Sequence, residues 1–299
     1  MYLANLTKSY KTKKEKTLIR SKENEALVNE IYLDAKSSGY IYKKEIEQCF
    51  DEQKQMFLAD RYVVGDCPKC SAKNQYGDGC DECGATYSAT EIINPKSSLS
   101  GTSPITKNSE HVFFDLGKAK NDLKKFLDTA VIQKPIVGKL SEWLDGELKS
   151  WDISRDAPYF GFKIPNEENK YFYVWLDAPI GYIASLKNWV TNNNFNIDDY
   201  WSNKSDYEIA HFIGKDIAYF HGLFWPALLD CANYKLPDLI QVHGFLTVNG
   251  EKMSKSVGNV KSINSIGLLF LAERALSTAP LPIIGIDVVD DVKKGADGK

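Results

Sequence analysis

The chain has 299 residues, 43% of them hydrophobic and 26% charged, with a formal net charge of −3. That length can bury a sizeable core and accommodate about two domains, and the composition excludes a wholly disordered protein. The near-neutral charge excludes a strongly basic nucleic-acid coat protein but leaves room for a local basic patch.

Residues 1–20 form a basic N-terminal segment. From Lys8 to Lys22 the chain carries seven basic side chains against one acid, Glu15. Such a run either touches RNA phosphates or is simply solvated, and solvation is the commoner case. The first residues show no apolar h-region and no small-residue cleavage site. The longest apolar runs, such as Ile266 to Ala272, fall far below the ~18 residues that span a bilayer. A cytoplasmic protein with no membrane partner is therefore expected. From Ser21 the pattern turns helical, with Val28, Ile31, Tyr32 and Ala35 on one face and Gly39 as the stop.

A short apolar stretch, Met56 to Val64, leads into Cys67-Pro68-Lys69-Cys70 and then, nine residues on, Cys80-Asp81-Glu82-Cys83-Gly84. Each C-x-x-C turn can aim two thiolates at one point, and two such turns complete a tetrahedral sulfur site. Gly77, Gly79 and Gly84 permit the tight backbone this needs. Two disulfides, or cysteines idle in a core, are the alternatives, and a chain without a signal peptide disfavours them. No catalytic base or open position accompanies the cysteines. One structural zinc per chain is expected, on Cys67, Cys70, Cys80 and Cys83, while Cys49 and Cys231 read as plain buried thiols.

Residues 94–110, rich in Ser, Asn, Pro and Gly, predict a loop. Leu116 to Trp151 is helical in pattern. Gly161 to Asp177 alternates aromatic and polar residues, with Tyr171-Phe172-Tyr173-Val174-Trp175 suited to a buried strand. Helical and strand signals then alternate to about residue 262, which predicts α/β packing. Residues 263–299 form an atypical tail, apolar and β-branched from Pro280 to Val289, to which the sequence assigns no role.

The strongest chemical signal is Gly250-Glu251-Lys252-Met253-Ser254-Lys255-Ser256. Two lysines three apart among small hydroxyl residues can place ammonium groups on a polyphosphate and stabilise its oxygens as negative charge builds. The chain contains no G-x4-G-K-[ST] pattern, so this is not a Walker loop. His243-Gly244-Phe245-Leu246-Thr247-Val248-Asn249-Gly250 leads into Lys252. With Trp151-Asp152-Ile153-Ser154-Arg155-Asp156-Ala157-Pro158, Tyr173-Val174-Trp175-Leu176-Asp177-Ala178-Pro179-Ile180-Gly181-Tyr182 and His211-Phe212-Ile213-Gly214-Lys215-Asp216-Ile217, the chain resembles the methionyl-tRNA synthetases, class I aminoacyl-tRNA synthetases that carry a KMSKS loop. The resemblance runs over about residues 20 to 262 in the family's order.

The resemblance implies an α/β fold: a partial Rossmann-like class I synthetase catalytic domain with an inserted zinc-knuckle connective domain. Residues 21–172 would be the connective region, with the knuckle at 67–83, and 173–262 the second half of the catalytic domain. It also implies methionine–tRNA ligase activity, with methionine, ATP with Mg²⁺ and the acceptor end of tRNA as partners. Trp175, Ala178, Pro179, Tyr182, Ile217 and His221 would form the methionine pocket. An aromatic stripe is otherwise core, the preferred reading for Phe172, Tyr173 and Phe220. Gly214, Asp216, His243, Leu246 and Lys255 would contact ATP, the first two at its ribose. Lys252 and Lys255 would hold the leaving pyrophosphate. Arg155 resembles the family's active-site arginine, although a structural ion pair with Asp152 or Asp156 fits it nearly as well.

One part of the pattern is missing. Class I synthetases carry a His-x-Gly-His signature near the N-terminus, and here the only histidines are His111, His211, His221 and His243. The family's first Rossmann half would lie before residue 20, and nineteen residues cannot hold three strands and their crossovers. The expectation is a truncated ligase that is impaired or inactive alone or is completed by a separate N-terminal half. A non-catalytic, zinc-containing module derived from a synthetase is the alternative.

Overall fold

The computed structural model describes residues 21–244, together with the backbone of 247–248 and 251–252. The basic segment 1–20, Leu246, Lys255 and the tail 263–299 lie outside the described residues, as do the side chains of Asp216 and Lys252. In chain order the elements are α1 (Lys22–Ser37), β1 (Ile41–Asp51), β2 (Met56–Phe57), β3 (Val63–Asp66), β4 (Gln75–Tyr76), β5 (Ile93–Ser97) and β6 (Ile105–Phe114). Then come α2 (Lys120–Thr129), β7 (Val131–Ile132), α3 (Lys134–Asp145), β8 (Trp151–Asp152), β9 (Ser154–Asp156), β10 (Lys170–Phe172) and α4 (Val174–Asn192). The series closes with α5 (Asp198–Trp201), β11 (Ala210–Gly214), α6 (Trp225–Cys231), β12 (Leu239–His243), β13 (Thr247–Val248) and β14 (Glu251–Lys252). No described helix is long and apolar enough to cross a membrane.

The chain divides into two compact units, and each is described by itself. One takes Glu25–Leu116 and Lys149–Ile180, the other Gly117–Leu148 and the described chain from Gly181.

The first unit contains most of α1, which forms as the sequence predicts. The Ser21 hydroxyl accepts from the Asn24 amide at 3.1 Å, capping the start. Gly39 takes φ 74° beyond the other end, a left-handed conformation glycine enters freely. Leu27, Val28, Ile31, Tyr32 and Ala35 are all buried. The expected loop at 94–110 is instead mostly strand. β5 pairs with β3, and β6 runs antiparallel to β1 from Ile41↔Phe114 to Phe50↔Ile105. Exposed strand arms tolerate Ser, Asn and Lys on both faces, so their local composition resembles that of a loop. The ladder comes from a distant partner.

β3, β4 and β5 form a small ribbon, order β4-β3-β5. Gly65 sits at the register shift between β3 and β5, and a Cβ there would lie 2.5 Å from the Ile93 carbonyl oxygen. That neighbour is backbone and cannot rotate away. Gly65→Ala should therefore cost about 1–3 kcal/mol, read as a lower melting temperature with the cysteine cluster intact.

In the second unit the sheet order is β11-β12-β7, all parallel. Leu140, Leu144, Leu223, Phe224, Trp225, Leu228 and Leu229 are buried in this unit, giving the helix-and-parallel-sheet packing expected of an α/β fold. β7 interrupts the stretch read as continuously helical and supplies the third strand. A second correction concerns Tyr171–Trp175: strand stops at Phe172 and α4 begins at Val174. Trp175, read as strand, therefore belongs with Ala178, Pro179 and Tyr182 to a helix.

Candidate functional site

The four cysteines converge. Their sulfurs all lie within 4.8 Å of one another, with Cys67–Cys83 at 3.8 Å and Cys70–Cys80 at 3.6 Å. A tetrahedron around a metal with Zn–S near 2.3 Å has edges of about 3.8 Å, so the donor set fits zinc in both chemistry and spacing. The two knuckles repeat one backbone pattern. Cys70 N–H donates to Cys67 Sγ at 3.5 Å and Cys83 N–H to Cys80 Sγ at 3.4 Å. Ser71 N–H reaches the Cys67 carbonyl and Gly84 N–H that of Cys80. Burial works against ionising Cys67, but the amides of Cys70 and Lys69 outweigh it and bring the thiol down to about 6. Neither leftover thiol joins the cluster: Cys49 is buried and Cys231 half-buried.

In the parallel-sheet unit Tyr182, Ile217 and His221 come together. Tyr182 on α4 donates its hydroxyl to His221 Nε2 at 3.3 Å, while His221 Nδ1–H donates to the Ile217 carbonyl at 3.2 Å. That pair of bonds fixes one tautomer of a neutral imidazole. Burial pushes His221 down despite the Ile217 contact. It also pushes the Tyr182 phenol up, so both groups stay uncharged. His211 and Trp225 complete the cluster. Trp225 Nε1–H donates to His211 Nε2 at 3.2 Å, and the His211 ring lies 5.5 Å from Tyr182 and 5.4 Å from His221. Burial first, and His221 second, bring His211 to about 3. Trp175, Ala178 and Pro179 belong to the other unit, on the opening turns of α4. Their spacing to Tyr182 puts all four on one face of that helix.

Two of the nucleotide candidates, Gly214 and His243, lie at one end of the parallel strands. Gly214 and His243 are register partners at the C-terminal ends of β11 and β12, the side on which open α/β sheets bind ligands. The 3₁₀ turn Lys215–Ile217 follows β11 at once, and the chain continues through a π-helical turn, Phe220–Phe224, into α6. His243 is exposed, with Nδ1–H donating to the Gly244 carbonyl at 2.7 Å. The backbone of Lys252 on β14 pairs with that of Thr247 on β13.

A model of the family described as tRNA synthetases class I (M) matches residues 11–270. The chain belongs to that family. Among solved structures, it is similar to Mycobacterium tuberculosis methionyl-tRNA synthetase bound by methionyl-adenylate, with TM-score 0.55 and 21% identity over 83% of this chain and 43% of that one. It is also similar to another structure of that enzyme in complex with methionyl-adenylate, with TM-score 0.52 and 23% identity over 84% and 44%. These likenesses carry the fold. The chain spans less than half the length of the structures it matches.

In this class I tRNA synthetase, Arg155 is held by its neighbours in the first unit. Its Nη1 lies 3.3 Å from Asp152 Oδ2, and its guanidinium stacks 3.8 Å over the Tyr173 ring. Phe172 and Phe220 are buried core, as expected, and Tyr173 is half-buried. Three residues went unnoticed in the sequence. His211 opened one of the family-matching segments without being assigned to the site, and Trp225 belonged to no motif. His111, wholly buried, looks like any lone histidine in a strand.

Proposed function

We propose that this chain carries the methionine- and ATP-handling core of a methionine–tRNA ligase. The observation that supports this best is the uncharged Tyr182–His221 pair, on residues that match the family's methionine pocket. A thioether is polarizable and uncharged, so a neutral hydroxyl and imidazole beside aromatic faces suit it better than a charged pair would. Trp175, Ala178, Pro179 and Ile217 also match positions of the family's methionine pocket. In the reaction, methionine's carboxylate attacks the α-phosphate of ATP, giving methionyl-adenylate and releasing pyrophosphate. The 3′-terminal ribose hydroxyl of tRNA then displaces AMP from the adenylate. Gly214, Asp216, His243 and Leu246 would hold the nucleoside, and Lys252, Lys255 and Arg155, with Mg²⁺, would balance phosphate charge. Zinc on the four cysteines would order the ribbon without entering the chemistry.

Calorimetry with a non-hydrolysable methionyl-adenylate sulfamoyl analogue tests this reading. The chain should bind it in preference to the leucyl counterpart by about ten-fold or more. Tyr182→Phe should erase most of that preference while leaving the nucleoside contribution in place. Absence of binding by a folded chain that retains its metal would favour the non-catalytic zinc module instead.

A further inference from the structure

The strand carrying Arg155 changes partners within a few residues. β8 pairs with β6, through Phe113↔Asp152 and Phe114↔Trp151, whereas β9 pairs with β10, through Ser154↔Phe172 and Asp156↔Lys170. A single residue, Ile153, separates β8 from β9. Asp152 ends the first pairing, Asp156 ends the second, and Arg155 lies between them.

His111 on β6 straddles that switch. Its side chain is fully buried, with Nδ1 2.7 Å from Asp152 Oδ2 and Nε2 2.8 Å from Asp156 Oδ2. The same Asp152 oxygen also takes Arg155 Nη1, so the imidazole and the guanidinium share one carboxylate atom. Asp156 is filled out by the Ser109 hydroxyl and the Lys170 ammonium. Backbone bonds stitch the same place: Ile153 N–H donates to the Val112 carbonyl, and Val112 N–H to Ser154 Oγ at 2.9 Å.

We propose that His111 is a positioning residue for Arg155, clamping Asp152 with one ring nitrogen and Asp156 with the other so that the strand between them presents the guanidinium in one orientation. The proposal rests on the reading of Arg155 as an active-site group. Both ring nitrogens face carboxylates, so both carry protons and the ring is an imidazolium. The charged groups around it are Asp152 on β8, Asp156 and Arg155 on β9, Lys170 on β10, and Lys44, its register partner on β1. Burial alone would push His111 down, but its hydrogen bonds to Asp152 and Asp156 outweigh it and the net direction is up.

The full chain has four arginines, Arg20, Arg61, Arg155 and Arg274, so ¹⁵N-arginine labelling gives a sparse spectrum in which Arg155→Lys identifies the Arg155 Nη1–H that faces Asp152. In folded His111→Gln that proton should exchange with water faster by about ten-fold or more, the size of one charge-assisted hydrogen bond, while the Arg61 signal stays unchanged. Unchanged Arg155 exchange in the folded variant overturns the proposal. If His111→Gln does not fold, Asp156→Asn decides on the same criterion, because it removes one arm of the clamp and leaves Asp152 and Arg155 in place. ¹⁵N-histidine labelling of the unmodified chain should show two ring N–H protons on His111, and a single one overturns the proposal. The functional reading fails separately: if Arg155→Lys binds the adenylate analogue as tightly as the unmodified chain, Arg155 lies outside the site, whatever the exchange rates show.

Discussion

Replacing Cys80 by serine, or treating the chain with a strong chelator, is expected to abolish the order of residues 63–97 and drop bound zinc from one per chain to none. The ribbon has little else to hold it. Its two- to five-residue strands bury a small cluster, Cys49, Leu58, Val63, Ala89 and Ile92, with Tyr87 packed alongside. A segment of that length falls below the ~40 residues at which a core alone usually suffices. A structural zinc contributes on the order of 10 kcal/mol in small zinc-binding peptides at neutral pH, more than any packing change in the ribbon could offset. Without metal, sulfurs 3.6–3.8 Å apart would be left as thiols or as mutually repelling thiolates. Metal analysis and amide hydrogen exchange over residues 63–97 check this together. Retention of one zinc by Cys80→Ser, with unchanged protection, would sink the assignment. Acid should release the metal too, since the ligands must be deprotonated to bind.

The knuckle was legible because everything that makes it is local: two C-x-x-C turns and the glycine after the second. Helix α1 was legible for the same reason, its cap, apolar face and stop all lying within residues 21–39. The β1–β6 ladder was not, because its register joins Ile41 to Phe114 and nothing near residue 105 announces a partner that far away. At Val174 two signals competed. The aromatic density of 171–175 suggested strand, while Leu176, Ile180, Ile183 and Ala184, all buried, repeat at helical spacing, and the longer period won. The His111 clamp was invisible in sequence, as its carboxylate partners lie 41 and 45 residues away. The Tyr182–His221 contact became legible only through the family motif, since 39 residues separate them.

Trp225→Ala should be the most damaging single change in the parallel-sheet unit. The side chain is wholly buried and packs edge-on against Tyr182 and Trp201, with centroids 6.3 Å away in each case. Truncation leaves a large cavity costing about 3–5 kcal/mol, a large share of the ~5–15 kcal/mol that holds a typical domain folded. It also strips His211 Nε2 of its donor. Trp225→Phe separates the two effects: most of the volume stays, and the lost hydrogen bond should cost about 1–3 kcal/mol. The pH dependence then distinguishes the two units. His211 is held below its unfolded value, at about 3, so its contribution is intact above pH ~6.5 and is lost as pH falls from there towards 3. His111 is held above its unfolded value, so its contribution is intact below pH ~6.5 and is lost as pH rises through its folded value. Mild acid should therefore loosen the parallel-sheet unit while leaving the His111 clamp at full strength. Hydrogen exchange at pH 5 and pH 8, resolved by peptide and corrected for the intrinsic rate, reads both signs in one experiment. Equal shifts in the peptides around Trp225 and around His111 would contradict the assignment of a neutral His211 and a charged His111.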